Sequence, residues 1–368
     1  MKLLQILAYP FSVLYGVGVW LRNKLYDWGI LSIHEFDISV ISVGNLTTGG
    51  TGKTPHTEYL VNLLKNNYKI AILSRGYKRF TSGFMLVENH STVYQVGDEP
   101  LQFKRKFPEI IVAVDEKRPR GINKLKELYP DLGIVLLDDA FQHRSVKPEI
   151  NILLTDYSKL YLEDFVIPSG NLREFAFESK RADIIIVTKT PTVLSPIDRR
   201  RIKVDIHPAT YQRLFFSHIL YGEAVPFTAS AKNFSTSDVQ ACSCCLLITG
   251  IAKPEQLIFH LRRFYREINH VEYPDHHVFS KYDIERIRKQ FNDMFSSNKV
   301  IITTEKDAMR LLLPDIFPLL QDLPIFYVPI SVQFHDKDGS EFNEYILKYV
   351  NANKNVRKFS EKFKHHKS

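Results

Sequence analysis

At 368 residues, the chain is long enough for two or three domains at the usual ~150 residues each. Its 44% hydrophobic and 12% aromatic content can fill a sizeable core, and 24% charged residues is ordinary, which excludes disordered and fibrous classes. The formal charge of +8 points to a polyanionic partner only if that charge is spread over the folded part.

Residues 3–21 (LLQILAYPFSVLYGVGVWL) form a run of 19 uncharged positions followed by Arg22 and Lys24. As a helix the run reaches ~28 Å, close to the roughly 30 Å of a bilayer's hydrocarbon core. No small-x-small cleavage site follows, which disfavours a signal peptide. A spanning anchor would leave Arg22 and Lys24 inside. The favoured reading is a helix lying in the membrane surface. Pro10 interrupts the run, Gln5 and Ser12 are polar, and Tyr9, Tyr15, Trp20, Tyr26 and Trp28 are the aromatics that favour an interface. A buried core helix is the plain alternative.

From residue 31 the pattern changes to short β-branched runs alternating with helical stretches. Residues 38–43 read as a strand, a Gly-rich turn follows, then a helix to about Leu64 and a strand at 69–73, which is one βαβ unit. Apolar runs at 110–114, 133–137, 151–154 and 184–187 have the continuous hydrophobic character of buried parallel strands. Residues 31–215 are therefore expected to form a doubly wound α/β core. Strands at 214–221 and 224–227 suggest a two-stranded connector over 216–227. A smaller α/β domain follows over 228–350, with strands at 246–249, 300–303 and 325–329 and helices at 255–267 and 283–295.

The turn after the first strand carries a phosphate loop, Thr48-Gly49-Gly50-Thr51-Gly52-Lys53-Thr54. The pattern G-x4-G-K-[ST] would place Gly at Thr47; the remainder matches. The glycines let backbone N–H groups converge on phosphate oxygens, Lys53 neutralises them, and the Thr54 hydroxyl is suited to Mg²⁺, all at a helix N-terminus. Pro55 fits the first helical turn, where its missing N–H costs nothing. A carboxylate for the metal is expected at the end of a neighbouring strand, where Asp138 and Asp139 follow residues 133–137. ATP and Mg²⁺ are thus the expected cofactors.

Cys242, Cys244 and Cys245 are too tightly spaced for a zinc site and odd in number for a disulfide framework, so they read as reduced and structural. The chain closes on a basic tail: residues 351–368 hold six Lys/Arg against Glu361, a local +5 that leaves only +3 for the 350 residues before it. Such a tail is usually solvated, and its sharper reading is attraction to nucleic acid or to anionic lipid.

Eight motifs occur in an order similar to that of the tetraacyldisaccharide 4′-kinases, the lipid A kinases of Gram-negative bacteria. They are G-N-x-x-x-G-G-x-G-K-T-P at 44–55, S-R-G-Y at 74–77, V-G-D-E-P at 96–100, D-x-x-R-x-x-G at 115–121, D-D-x-F-Q-H-R at 138–144, N-L-R-E at 171–174, D-H-H at 275–277 and T-E-K-D-A at 304–308. The resemblance runs from the amino-terminal segment to about residue 350. One departure is Ala140, where the family has Gly.

The resemblance implies transfer of the ATP γ-phosphate to the 4′-hydroxyl of a tetraacylated glucosamine disaccharide 1-phosphate, on a phosphate-loop core with a smaller second domain. It implies Asp98 as the catalytic base and His276 as its partner, with His277 the neighbour that could take that assignment and Asp275 available to orient either ring. Lys53 joins them as a catalytic residue. Arg75, Arg118 and Arg173 become candidates for phosphate oxygens of ATP or of the substrate. Tyr77 is a candidate to stack on or hydrogen-bond substrate, His143 to contact phosphate or its water shell, and Glu174 to hold the metal or Arg173. Thr188 and Lys189 either contact adenine or begin a loop, and the 304–307 segment either contacts nucleotide or caps a helix.

The expected partners are the lipid disaccharide 1-phosphate and a membrane surface, with no nucleic acid, because the chain lacks a helix-turn-helix, zinc module or aromatic-studded sheet signature. The expected location is the cytoplasmic face of the bacterial inner membrane, reached through the amino-terminal segment. The rival reading is a membrane-associated phosphate-loop regulatory ATPase without a lipid acceptor.

Overall fold

The computed structural model describes residues 3–365, with side chains over 5–352 apart from positions 236 and 240. Two α/β layers share the chain. The larger is a nine-stranded sheet in the order Ile330–Phe334, Arg213–Tyr221, Ile184–Thr188, Ile150–Asp156, Ser39–Asn45, Ile134–Asp138, Ile70–Ser74, Ile111–Val114 and Met85–Leu86. The seven inner strands are parallel, and only the two edge strands run antiparallel.

The continuous apolar runs of these strands follow from burial on both faces. Ile41 and Val43 point into one core with Leu60, Val61, Ile72 and Leu136, while Val40 points into the other with Ala71, Leu73, Val135 and Leu137. That alternation is the two-residue period of a strand covered on each side. Each fully buried Val, Leu or Ile contributes about 1.5–3 kcal/mol. Ser39–Asn45 lies between Ile134–Asp138 and Ile150–Asp156, which brings the loop after it next to the ends of both neighbours.

The smaller layer is a five-stranded sheet, Glu267–Glu272, Cys244–Thr249, Lys299–Thr304, Ile325–Val328 and Val225–Pro226, with only the last strand antiparallel. Its core gathers Leu246, Ile248, Phe279, Ile284, Ile287, Ile301 and Ile325. Cys242, Cys244 and Cys245 are buried here as free thiols.

Three sequence expectations need correction. The strand at 214–221 forms, as Arg213–Tyr221, but it joins the large sheet beside Ile184–Thr188 instead of standing apart as a connector. The segment expected to be helical up to residue 267 ends at Leu261, and Glu267–Glu272 is an edge strand. Residues 330–350 do not belong to the smaller layer. Ile330–Phe334 pairs with Arg213–Tyr221, and the helix Asp338–His365 packs Phe342, Ile346 and Val350 into the large core. The basic residues of the tail lie beyond the described side chains.

The amino-terminal segment is the helix Leu3–Asp27, docked by a stripe of small and polar residues. Ser12 Oγ accepts the Ser169 N–H at 2.8 Å, a Cβ on Gly16 would sit 2.5 Å from the Phe175 ring, and Asn23 is buried with its amide on Glu174. The rest of the helix is apolar and exposed: Leu7, Phe11 and Leu14 are 63%, 65% and 72% accessible. Among the described residues no helix is long and apolar enough to cross a membrane.

Candidate active site

The strand Ser39–Asn45 is buried along its whole length and delivers the phosphate loop to the helix Lys53–Leu64. Gly52 caps that helix in the left-handed region at φ 86°, a conformation that penalises any Cβ. The loop is braced from all sides. The Asn45 side-chain amide donates to Gly49 O at 3.2 Å and to Thr51 Oγ1 at 2.9 Å. Thr48 N–H donates to Asn171 O, and Arg173 N–H to Leu46 O, both at 2.7 Å, so residues 171–174 run along the front of the loop. Thr188, at the end of its strand, donates to Thr51 O at 2.8 Å, and Lys189 donates to Gly50 O. These two residues therefore clamp the loop backbone. His56 adds a brace from below: its Nδ1–H donates to Gly52 O at 2.7 Å while Nε2 takes the Ser217 hydroxyl at 3.0 Å.

Asp138 and Asp139 stand beside the loop at the end of Ile134–Asp138. Burial pushes the Asp138 carboxyl up to about 7, with Glu99 and Asp139 adding to the rise. Its Oδ1 accepts the Thr57 hydroxyl at 3.3 Å. Asp139, at φ 48°, lies 3.6 Å from Lys53 Nζ and accepts Arg173 Nη1 through both oxygens at 2.9 and 3.0 Å. Burial would raise its carboxyl, but the charges of Lys53 and Arg173 carry it below its ordinary value.

Arg118 is 1% exposed, with Nη1 on Asp115 O at 2.6 Å and no partner for Nε. Burial lowers its guanidinium to about 10, and the charge of Arg75 acts in the same direction. His143 is lowered to about 3, first by burial and then by Arg118. Arg75 and Tyr77 are exposed at this mouth. Arg75, Arg118, Arg173 and His143 thus gather around the Asp138–Asp139 turn.

Glu174 does not join the expected metal ligands. It is fully buried, and its oxygens are taken by Arg22 at 3.0 Å, Asn23 at 3.4 Å and Arg181. Among the described residues no three His, Cys, Asp or Glu side chains converge as a metal group. Of the expected oxygen donors, the Thr54 and Asp138 side chains remain without an arginine partner among the described residues, and Asp139 stands beside the loop with both oxygens on Arg173.

The helix Asp98–Lys106 begins at Gly97, φ 92°, and presents Asp98 in its first turn. The His276 ring, on a residue at φ 61°, places Nδ1 3.0 Å from Asp98 Oδ2. His277 turns away to Asp283 at 3.1 Å and stacks on Tyr273. Asp275 Oδ2 is 3.8 Å from His276 Nε2, and the Tyr77 ring meets that of His276 edge-on at 5.3 Å. Lys306 Nζ sits 3.1 Å from Glu99 and 3.8 Å from Asp98, and Thr304 caps its helix through Asp307 N–H. Sequence reasoning assigned no role to Asn45, His56 or Arg310. The first lies inside a recognised motif, whereas the other two carry no local signal.

A phosphate loop on the central strand of a parallel sheet, with a strand-end Asp pair beside it and an Asp–His pair whose neighbour Glu99 acts on Asp138, defines a phosphate-loop kinase. A family model described as tetraacyldisaccharide-1-P 4′-kinase matches residues 4–351. The chain is similar to the tetraacyldisaccharide 4′-kinases of Parabacteroides distasonis, at 47% identity over 93% of this chain and 94% of the relative, and of Flavobacterium psychrophilum, at 44% over 96% and 98%. It is also similar to a crystal structure of LpxK from Aquifex aeolicus in complex with ATP, with a TM-score of 0.72 at 26% identity over 95% of this chain and all of the other. The chain belongs to the tetraacyldisaccharide 4′-kinase family.

Proposed function

We propose that this chain transfers the γ-phosphoryl group of ATP to the 4′-hydroxyl of a tetraacylated glucosamine disaccharide 1-phosphate, in lipid A synthesis at the cytoplasmic face of the bacterial inner membrane. The observation that carries the reading is the Asp98–His276 contact, which supplies a buried carboxylate able to take the proton of an acceptor hydroxyl in a chain of the tetraacyldisaccharide 4′-kinase family.

In the reaction, the 4′-oxygen bonds to the γ-phosphorus as the bond from phosphorus to the β-bridging oxygen breaks, and Asp98 takes the hydroxyl proton. Phosphoryl transfer is mostly positioning and charge stabilisation. Lys53 and the loop N–H groups over 48–54 hold the phosphates, apart from those of Thr48 and Thr51, which bond Asn171 O and Gly49 O, while Arg118, with an unpaired Nε, and Arg173 supply further donors. Burial favours protonated Asp98. The His276 hydrogen bond and the charges of Lys306 and Arg310 outweigh it and keep the carboxylate ionised well below its ordinary range. Arg75, Tyr77 and His143 at the mouth are assigned to the sugar and its 1-phosphate.

The all-oxygen set of Thr54, Asp138 and Asp139 suits Mg²⁺, and a buried Asp138 raised to about 7 is a carboxylate short of a cation. These residues would hold the ion, which would neutralise phosphate charge. The exposed apolar face of the helix Leu3–Asp27 supports membrane-surface association, with the docked stripe holding the helix to the core.

The test incubates the protein with γ-labelled ATP, Mg²⁺ and the lipid disaccharide 1-phosphate, then separates the lipids. Label in the lipid that disappears in Lys53→Ala is expected. ATP hydrolysis without labelled lipid would sink the kinase reading in favour of the regulatory ATPase.

A further inference from the structure

We propose that Arg310 is the positioning residue of the Asp98–His276 pair, occupying one carboxylate oxygen so that the other is presented to the acceptor hydroxyl; this rests on the kinase reading above. Arg310 lies on the helix Glu305–Leu311, and its side chain is 4% exposed. Its Nε and Nη2 donate to Asp98 Oδ2 at 3.1 and 2.6 Å. His276 Nδ1 is 3.0 Å from the same oxygen and Lys306 Nζ 3.8 Å. Oδ1, by contrast, accepts the backbone N–H of Glu99 at 3.1 Å and none of these cations. A carboxylate oxygen accepts more than one hydrogen bond, so Oδ1 keeps a lone pair for an incoming O–H.

The same guanidinium also fixes the histidine. Arg310 Nη1 donates to Asp307 Oδ1 and to Gly250 O, both at 2.7 Å, and Gly250 O in turn accepts His276 N–H at 3.3 Å. Asp307 is fully buried and takes Gly250 N–H and the Thr304 hydroxyl on its other oxygen. One fork therefore ties the base's helix to the histidine loop. The ring tautomer follows from the same oxygen: an ionised Asp98 only accepts, so Nδ1 at 3.0 Å carries a proton and donates to it, with Arg310 Nη2 3.2 Å away. Nε2 is then left to accept from Lys306 at 3.4 Å.

The charged groups facing Asp98 are Glu99 on its own helix, His276 and Asp275 from their loop, and Lys306 and Arg310 from the third element. Burial opposes ionisation and the cations enforce it, so removing Arg310 moves the protonation of Asp98 to higher pH. A lysine keeps the charge but not the fork.

The experiment follows labelled transfer to the lipid acceptor across pH with full-length wild type, Arg310→Gln and Arg310→Lys, alongside ATP binding. R310Q is expected to lose roughly 10- to 100-fold in kcat with ATP binding unchanged, and its acid limb should move to higher pH. R310K should keep the wild-type acid limb while kcat stays low. An R310Q profile that superimposes on wild type after scaling overturns the proposal, as does full kcat in R310K. Should R310Q fail to fold, R310K alone decides between these outcomes. A wild type that never labels the lipid removes the kinase reading and this proposal together, whereas an active wild type with an unmoved R310Q limb removes only this one.

Discussion

Arg22 and Glu174 lie 152 positions apart in the chain and form an ion pair at 3.0 Å, which fastens the amino-terminal helix to the segment running along the phosphate loop. Glu174 is fully buried and also holds Asn23 and Arg181, so truncating it leaves the buried Asn23 amide and the mostly buried Arg181 guanidinium short of their acceptor. Glu174→Ala is expected to cost about 3–5 kcal/mol in a thermal or denaturant melt. The helix should also become the first site of protease cleavage. A melt unchanged from wild type would show that the cluster contributes nothing to docking.

Replacing the acid–base pair should separate chemistry from nucleotide binding. Asp98→Asn and His276→Ala each remove one member of the contacting pair, and a loss of roughly 10²–10⁴-fold in kcat is expected for Asp98→Asn. ATP affinity, measured by titration calorimetry, should stay at the wild-type value. Loss of ATP binding in either variant would relocate those residues to the nucleotide site.

Stability should fall with acid in a window set by His56. Burial lowers this imidazole from 6.5 to about 4, so the unfolded chain takes up a proton that the folded one refuses. The stabilising contribution is complete above pH 6.5 and lost as pH falls toward 4, at ~1–3 kcal/mol. His56→Gln should flatten the slope of stability against pH by up to about one proton. An identical slope in wild type and variant rules His56 out as the source.

Membrane attachment is expected to follow the exposed face of the first helix. Substituting Leu7, Phe11 and Leu14 together by Ser removes three large apolar groups that touch little of the core. Flotation with phospholipid vesicles should decrease sharply while ATP binding is retained. Undiminished flotation would assign attachment to another surface.

What was legible in the sequence was whatever is written locally. The phosphate loop and the Asp138–Asp139 turn each occupy a few consecutive residues after a buried strand, and both appeared where expected. The Asp98–His276 pair spans 178 positions, so no local spacing marks it and only resemblance to a family points to it. Arg310 carried no signal, because one arginine on a seven-residue helix is indistinguishable from a solvated one until Asp98 and Asp307 close around it. Glu267–Glu272 was missed because an edge strand needs only one apolar face, and EINHVE has little hydrophobic pattern. Glu174 was misjudged for the opposite reason. A carboxylate one residue from Arg173 invites a metal role, yet Glu174 is bound to Arg22, Asn23 and Arg181 while Arg173 takes Asp139.

Tyr221 and Ile330 are partners on one rung of the antiparallel edge pair, and Gly222 N–H donates to Pro329 O at 2.9 Å just beyond it. The intervening residues 222–329 therefore leave and re-enter the large sheet at a single point, like a cassette on a two-stranded stem. Excising them would bring the cut ends within reach of a short hairpin turn. The shortened chain would keep the phosphate loop, Asp138 and Asp98 but forfeit His276, Lys306 and Arg310. Nucleotide grip and control of the proton are thus carried on opposite sides of that stem, and a twist of one rung alters how they face each other without disturbing either.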